Sequence, residues 1–209
     1  MDKNNQNKID IKIITLGDSR VGKSSLIVKF IENKFSSNYL STIGFDFKHK
    51  IIKIDDENEV KLIIHDTAGQ ERFRSLATNY IKKANGILLV YDITEKDSFN
   101  NIGNWLESIA EETACKLPIV LVGNKSDLVE ERKVTKEEGQ KKADDYGFKF
   151  FETSCQNGDN VENCFICLAK EIYNKMGGKK VNQSKNHKLK KNSNSEKKNA
   201  AYDIIIIIY

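Results

Sequence analysis

Short apolar segments recur along the first 176 residues, and their residue types predict β-strands. Each is rich in β-branched or aromatic residues and is bounded by Gly, Asp or Asn, a pattern typical of strands buried on both faces of a sheet. The segments are residues 9–16, 60–66, 86–92, 117–124 and 148–154. Residues 45–54 precede the polar sequence DDENE and the strand at 60–66, so this stretch predicts an antiparallel hairpin.

Amphipathic segments lie between the predicted strands and predict helices. Their apolar residues recur with helical spacing, and Thr135 with Glu138 forms the sequence pattern of a capping box. The predicted helices are residues 22–33, 97–113, 135–146 and 159–176. Alternation of strands and helices, with one antiparallel edge, predicts an α/β fold in which helices cover both faces of the sheet.

Charge and composition divide the chain into three parts. Residues 1–8 predict a polar extension, residues 9–176 a single domain, and residues 177–209 a disordered tail with few large apolar residues before its end. The tail contains eight Lys and two acidic residues, which leaves 26 basic and 28 acidic groups in the rest of the chain. This balance gives no support to nucleic-acid binding by the domain.

The same composition predicts a cytoplasmic protein. The sequence has no apolar run of 18 residues and no secretory h-region, and its four Cys are interpreted as reduced thiols. The Lys-rich tail predicts transient contact with anionic membrane faces, at about 1 kcal/mol per basic residue near the surface.

The turn after the first strand, GDSRVGKS, matches the G-x4-G-K-S pattern of a phosphate-binding loop. Gly17 and Gly22 let the backbone curve around a phosphate, Lys23 reaches the β- and γ-phosphates, and the Ser24 hydroxyl ligates Mg²⁺. A Gly-rich turn that binds nothing is the alternative. The residues predicted to hold the phosphates are Gly17, Asp18, Ser19, Arg20, Val21, Gly22, Lys23, Ser24 and Ser25.

The sequence Asn124-Lys125-Ser126-Asp127 follows a later strand, at the sheet edge where open α/β folds bind ligands. The Asp127 carboxylate can accept hydrogen bonds from the guanine N1–H and exocyclic amine, groups that adenine does not present at those positions. Asn124 would brace the loop, and the stem of Lys125 would lie along the base. Because short Asn/Lys/Asp sequences also occur in surface turns, this interpretation depends on the phosphate-binding loop upstream.

The segment between these motifs contains residues suited to a γ-phosphate and a metal. Asp66 ends a predicted strand and suits water-mediated binding of Mg²⁺, and Thr42 offers it a second hydroxyl. Gly69 can direct its N–H at a γ-phosphate, and Gln70 can orient the attacking water. Gln70, Lys23 and Thr42 are therefore the predicted catalytic residues.

With these residues the chain resembles the Ras superfamily of small GTPases, and within it the Rab family. The resemblance covers about residues 9–176, and Rab-like stretches lie at 42–47, 61–84, 86–94 and 99–109. It implies a P-loop NTPase fold with a six-stranded, mostly parallel sheet and five helices. It also implies that Phe35 packs on the guanine, that Tyr39 lies in the first switch loop, and that the region of Ser154 and Cys155 presents N–H groups to the guanine carbonyl.

The resemblance further implies GTP hydrolysis to GDP and phosphate, and partners that read the nucleotide state. These are guanine-nucleotide exchange factors, GTPase-activating proteins and effectors that direct vesicle traffic. The chain offers no obvious arginine finger, so we expect slow hydrolysis without an activating protein. The alternative is a nucleotide-locked scaffold with little turnover.

Several positions depart from the Rab pattern. His65 stands where Trp is usual, and Cys155-Gln156 stands where Ala-Lys is usual. The last Cys is Cys167, so the prenylated Cys with which Rab-like chains usually end has no counterpart. We therefore expect membrane contact, if any, to be peripheral and reversible.

Overall fold

The computed structural model describes residues 9–35, 45–67, 74–113 and 116–178. The chain divides into two units, Met1–Gly178 and Lys179–Tyr209, and all described residues belong to the first. Four predicted site residues lie outside the described residues: Tyr39, Thr42, Gly69 and Gln70. The predicted N-terminal extension and the predicted tail from residue 179 onward also lie outside them, and the predicted domain boundaries stay predictions.

Six strands form one mixed sheet, as the sequence and the resemblance predict. Their order is β2-β3-β1-β4-β5-β6, with β2 antiparallel to β3 and all other neighbours parallel. The strands are β1 Ile9–Leu16, β2 Phe45–Lys53, β3 Glu59–Thr67, β4 Gly86–Asp92, β5 Ile119–Asn124 and β6 Lys149–Thr153. Strands β4 and β5 are buried along their whole length, as expected for central strands covered on both faces.

Six α-helical segments lie in the described ranges. They are α1 Lys23–Glu32, α2 Arg74–Ile81, α3 Lys96–Asn100, α4 Ile102–Glu112, α5 Lys136–Tyr146 and α6 Val161–Lys175. The predicted helix at 97–113 is two segments that meet at Asn101, and α2 was not predicted from the pattern. The capping box of α5 is confirmed, because the Thr135 hydroxyl accepts from the Glu138 N–H and the Glu138 carboxylate accepts from the Thr135 N–H.

The core has two parts, one on each face of the sheet. On one face, α1 and α6 pack on β1, β3 and β4, and the rings of Phe30 and Phe165 stack at 4.1 Å between centroids. On the other face, residues of α2, α4 and α5 pack on β1, β4 and β5, with Trp105 and Tyr91 in that cluster. Burial of an aliphatic or aromatic side chain of this size contributes about 1.5–3 kcal/mol. Because five of the strands run parallel, their carboxyl ends lie at one edge of the sheet.

Membrane-spanning helices were sought in the described part of the chain. None of the helices there has the length and apolar character needed to cross a bilayer.

Candidate functional site

The loop between β1 and α1 is a close-fitting backbone turn. Gly17 and Gly22 have φ angles of 135° and 92°, which side-chain-bearing residues rarely adopt. A Cβ on Gly17 would collide with the Val90 carbonyl oxygen, and one on Gly22 with the side-chain nitrogen of Asn124. Arg20 also has a positive φ, 65°. Both glycines are therefore required by the packing of this loop against β4 and β5.

Lys23, the first residue of α1, is 5% exposed. Its ammonium group donates to the carbonyl oxygens of Gly17 and Asp18, at 2.8 and 2.7 Å. Burial lowers the pKa of Lys23 to about 8, while the nearby carboxylates of Asp66 and Asp18 act in the opposite direction. A buried cation held by loop carbonyls at a helix N-terminus is suited to bind an anion such as a phosphate.

Two oxygen ligands suited to a divalent cation lie beside this lysine. Ser24 occupies the first turn of α1, and Asp66 lies near the end of β3 and is 8% exposed. The negative charge of the Asp66 carboxylate acts to raise the pKa of Lys23. Hydroxyl and carboxylate oxygens are ligands that Mg²⁺ prefers, so these residues fit the predicted metal.

Asn124 joins the phosphate loop to the segment after β5. It is 1% exposed, and its Nδ2 donates to the Val21 carbonyl oxygen at 2.9 Å. Its Oδ1 accepts from the Thr153 hydroxyl at 3.0 Å and from the Cys155 thiol at 3.5 Å. One buried amide thus fixes three loops relative to one another.

The Asp127 carboxylate is oriented by the loop after β6. The Ser154 hydroxyl donates to Asp127 Oδ1 at 2.6 Å and accepts from the Asn157 N–H at 3.0 Å. The Ser154 N–H donates to the Asp159 carbonyl oxygen at 3.1 Å. Ser154 therefore holds the acidic side chain predicted to recognise the base, a role that the sequence motif did not reveal.

The Lys125 side chain, just after β5, is held by an acidic residue of the neighbouring strand β4. Its ammonium group lies 2.5 Å from Asp92 Oδ2, at the end of β4, and its φ is 67°. Asp92 is 2% exposed, and its Oδ1 accepts from the Thr94 N–H and hydroxyl, both at 2.8 Å. With its ammonium group fixed at Asp92, the aliphatic stem of Lys125 has a restricted orientation.

Comparisons with known proteins agree with this arrangement. The Ras family model matches residues 12–174. Ras-related protein Rab-8B of Homo sapiens is 47% identical over 173 residues, which cover 83% of this chain and 83% of the relative. The GTP-binding protein yptV2 of Volvox carteri is 46% identical over 174 residues, which cover 83% and 80%. Ras-related protein Rab-13 of Canis lupus familiaris is 45% identical over 173 residues, which cover 83% and 85%.

The chain is a Rab-type member of the Ras family. The family binds guanine nucleotides and its members are GTPases, and the sheet order and the antiparallel β2–β3 pair are those of the Ras-like P-loop fold. The family prediction and the fold prediction are therefore confirmed.

In this Rab-type chain, Cys155-Gln156 replaces the usual Ala-Lys; Cys155 is buried and Gln156 is exposed. Cys155 is 4% exposed, and burial raises the pKa of its thiol to about 11, so the thiol stays protonated at neutral pH. Gln156 is exposed at the rim of the same loop. The substitution of Ala by Cys is thus accommodated within the core, and its Sγ contacts Asn124.

The departure His65 lies in β3, beside α2. The ring is half-buried and lies 5.1 Å from the Tyr80 ring, between centroids. Burial, with the positive charge of Lys12, lowers the pKa of His65, so the imidazole is neutral at pH 7. Phe47 pairs with His65 across the strands and is 67% exposed.

Four other described site residues are more exposed to solvent than Lys23 and Asp66. Ser19 and Arg20 are exposed on the phosphate loop, Ser25 is half-buried in α1, and Phe35 is 45% exposed beyond the end of α1. The structure brings the loop residues, Asp66, the Asn124–Asp127 segment and Ser154 to one edge of the sheet. Asp92 and Trp105 were not predicted as site residues from the sequence. The position of Asp92 at a strand end is a signal that could have indicated it. The hydrogen bond from Trp105 to Asp18 has no local sequence signal.

Proposed function

We propose that this Rab-type chain is a guanine-nucleotide switch that binds and hydrolyses GTP. The observation that carries the proposal is the bond from the Asn124 amide to the Val21 carbonyl oxygen, at 2.9 Å. This bond ties the loop with the buried Lys23 to the segment with Asp127, so a phosphate-binding group and a base-binding carboxylate lie on one rigid frame. A purine nucleoside triphosphate is the ligand that uses both.

The base end supports guanine in particular. Asp127, oriented by Ser154, offers acceptors to the guanine N1–H and amine. The aliphatic stem of Lys125 covers one face of the base. Phe35, which is exposed just beyond the end of α1, covers the other face. The N–H of Cys155 is the group we assign to the guanine carbonyl, since the Ser154 N–H already donates to Asp159.

At the phosphate end, Ser24 and Asp66 would hold Mg²⁺, together with Thr42. When bound, the cation supplies positive charge against the phosphate oxygens. Lys23 donates to the β- and γ-phosphates, and Gln70 orients the attacking water. Because no arginine finger is predicted, an activating protein would complete this charge stabilisation and raise the rate by roughly 10³–10⁵.

The nucleotide state would be read by partners. Contacts of Thr42 and Gly69 with the γ-phosphate order two loops, and hydrolysis removes those contacts. Effectors that prefer the GTP state bind one population, exchange factors reload the protein, and the process regulated is intracellular vesicle traffic. The protein is cytoplasmic in this proposal, and the Lys-rich tail makes transient contact with membranes.

Single-turnover hydrolysis of γ-labelled GTP tests the proposal. We expect slow release of phosphate by the full chain alone and at least about a thousandfold acceleration by the catalytic domain of a Rab-activating protein. The Gln70→Leu variant is the matched control, and we expect it to bind GTP but to resist acceleration. Tight GTP binding with no hydrolysis under either condition would contradict the proposed switch and favour the nucleotide-locked scaffold.

A further inference from the structure

The side chain of Asp18 in the phosphate loop is held from a distance of more than 80 residues along the chain. The Trp105 indole N–H donates to Asp18 Oδ1 at 2.8 Å, and the Asn101 amide donates to Asp18 Oδ2 at 2.7 Å. Both donors belong to the junction and first turn of α4. The two carboxylate oxygens of Asp18 therefore have separate donors at the start of one helix.

The same residue also holds the catalytic lysine. The carbonyl oxygen of Asp18 accepts from Lys23 Nζ at 2.7 Å. The side chain of Asp18 thus points to α4, while its main chain supports the ammonium group that faces the phosphates. A shift of Asp18 away from α4 would displace one of the two carbonyls that position Lys23.

The loop needs such support because of its backbone. Arg20, two residues after Asp18, has a φ of 65°, in the left-handed region that is unfavourable for side-chain-bearing residues. A conformation of this kind persists only where the surroundings impose it. Two charge-assisted hydrogen bonds to Asp18, one of them from a side chain that is 4% exposed, supply that constraint.

We propose that Trp105 and Asn101 are positioning residues that act through Asp18 to keep the phosphate loop in its nucleotide-binding form and so slow nucleotide release. The inference rests on the proposed function, because it assigns a role in nucleotide retention to residues outside the nucleotide motifs. Trp105 is thus more than a core residue of α4.

Release of fluorescent mant-GDP from the full chain tests this role. Loss of a hydrogen bond to a charged group corresponds to about a factor of ten in an equilibrium constant. We expect the Trp105→Phe variant to release mant-GDP about tenfold faster and Asn101→Ala several-fold faster. The matched controls are Ile109→Val, buried on the same helix, and Glu107→Ala, exposed on it, and both should release mant-GDP at the wild-type rate.

The spectrum of Trp105 gives a readout that a purely structural role would not change. The chain contains one Trp, so its intrinsic emission reports on Trp105 alone. We expect the emission of the wild-type chain to shift when GDP is removed. In the Asp18→Ala variant, which keeps the tryptophan but removes the acceptor, this GDP-dependent shift should be absent.

Several outcomes would overturn the inference. One is release of mant-GDP at the wild-type rate by both Trp105→Phe and Asn101→Ala. Another is release from the control variants that is accelerated as much as in these two. The third is a wild-type Trp105 emission that does not change when GDP is removed. Should Trp105→Phe fail to fold, Asn101→Ala and the emission of Asp18→Ala decide the question. A wild-type chain that takes up no mant-GDP would overturn the proposed function itself, whereas normal uptake with unchanged release in the variants would overturn this inference alone.

Discussion

The two ends of the site are built in different ways. At the phosphate end, eight consecutive residues supply a backbone turn, a buried ammonium group and the start of a helix. At the base end, side chains come from three strand ends: Asp92 ends β4, residues 124–127 begin at the last residue of β5, and Ser154 follows β6. The phosphate end depends on main-chain geometry, and the base end on a network of side-chain hydrogen bonds.

This difference predicts how each end responds to substitution. Loss of the Lys23 ammonium group at the phosphate end should weaken nucleotide binding more than any single loss at the base end. Single losses at the base end should be graded, because Asp127 is assigned to the base directly, whereas Ser154 acts through Asp127 and Asp92 acts through Lys125. The following substitutions test this contrast, from the largest expected effect to the smallest.

Lys23→Met should have the largest effect. The ammonium group is the one described cation held inside the phosphate loop, and loss of such a buried charged partner costs about 2–5 kcal/mol, so GDP affinity should fall about a thousandfold. The thermal stability of the empty protein should not fall, because burial of this ammonium is unfavourable. Calorimetric titration and thermal unfolding measure the two effects. Lys83→Met, at an exposed position, is the control, and equal losses in both variants would contradict the assignment.

Asp127→Asn should change which purine is bound. An amide in place of the carboxylate loses one acceptor for guanine and gains a donor suited to the additional carbonyl of xanthine. We expect GDP affinity to fall about a hundredfold and XDP affinity to rise, as measured by competition against mant-GDP. If the variant still prefers GDP over XDP by the wild-type ratio, Asp127 does not contact the base.

Ser154→Ala should have an intermediate effect, confined to the base end. It removes the 2.6 Å hydrogen bond that orients Asp127, a loss of about a factor of ten in GDP affinity. Ser126→Ala, in the same segment as Asp127, is the matched control and should bind GDP normally. Titration of both variants with GDP measures the difference. Indistinguishable affinities would show that Asp127 needs no such support.

Asp92→Asn should have the smallest effect. It removes the charge that holds Lys125 but keeps an acceptor for Thr94, and a partly exposed ion pair of this kind is worth about 1 kcal/mol. Stopped-flow measurement should show mant-GDP release about fivefold faster than in the wild-type chain. Asp56→Asn, at an exposed position in the β2–β3 turn, is the control and should release mant-GDP at the wild-type rate. Faster release by this variant would show that loss of any negative charge accelerates release, and the effect of Asp92→Asn could not then be assigned to Lys125.

The same contrast explains what the sequence could predict. The loop from Gly17 to Ser24 was predictable because its chemistry lies in adjacent residues, and the strands were predictable from unbroken apolar runs. The contacts of Ser154 with Asp127, and of Trp105 with Asp18, join residues 27 and 87 positions apart. No local pattern encodes such pairs, since they depend on how the sheet aligns its strand ends. Trp105 packs in the core on one face of the sheet, and its indole N–H also donates to the phosphate loop.

Helix boundaries show the same limit. The helix at 97–113 was predicted as continuous because its apolar spacing is continuous, but it divides at Asn101, whose side chain reaches the phosphate loop. A tertiary contact thus accompanies a break that periodicity cannot show. The contribution of Thr42, Gly69 and Gln70 stays a prediction from the sequence.

Binding of GDP against ADP to the nucleotide-free full chain, measured by calorimetric titration with Mg²⁺ present, tests the central claim most directly. A loop with a buried lysine, joined by Asn124 to a carboxylate oriented for guanine, predicts submicromolar GDP affinity and binding of ADP weaker by about a thousandfold or more. Equal affinity for the two nucleotides, or GDP affinity no better than millimolar, would contradict it.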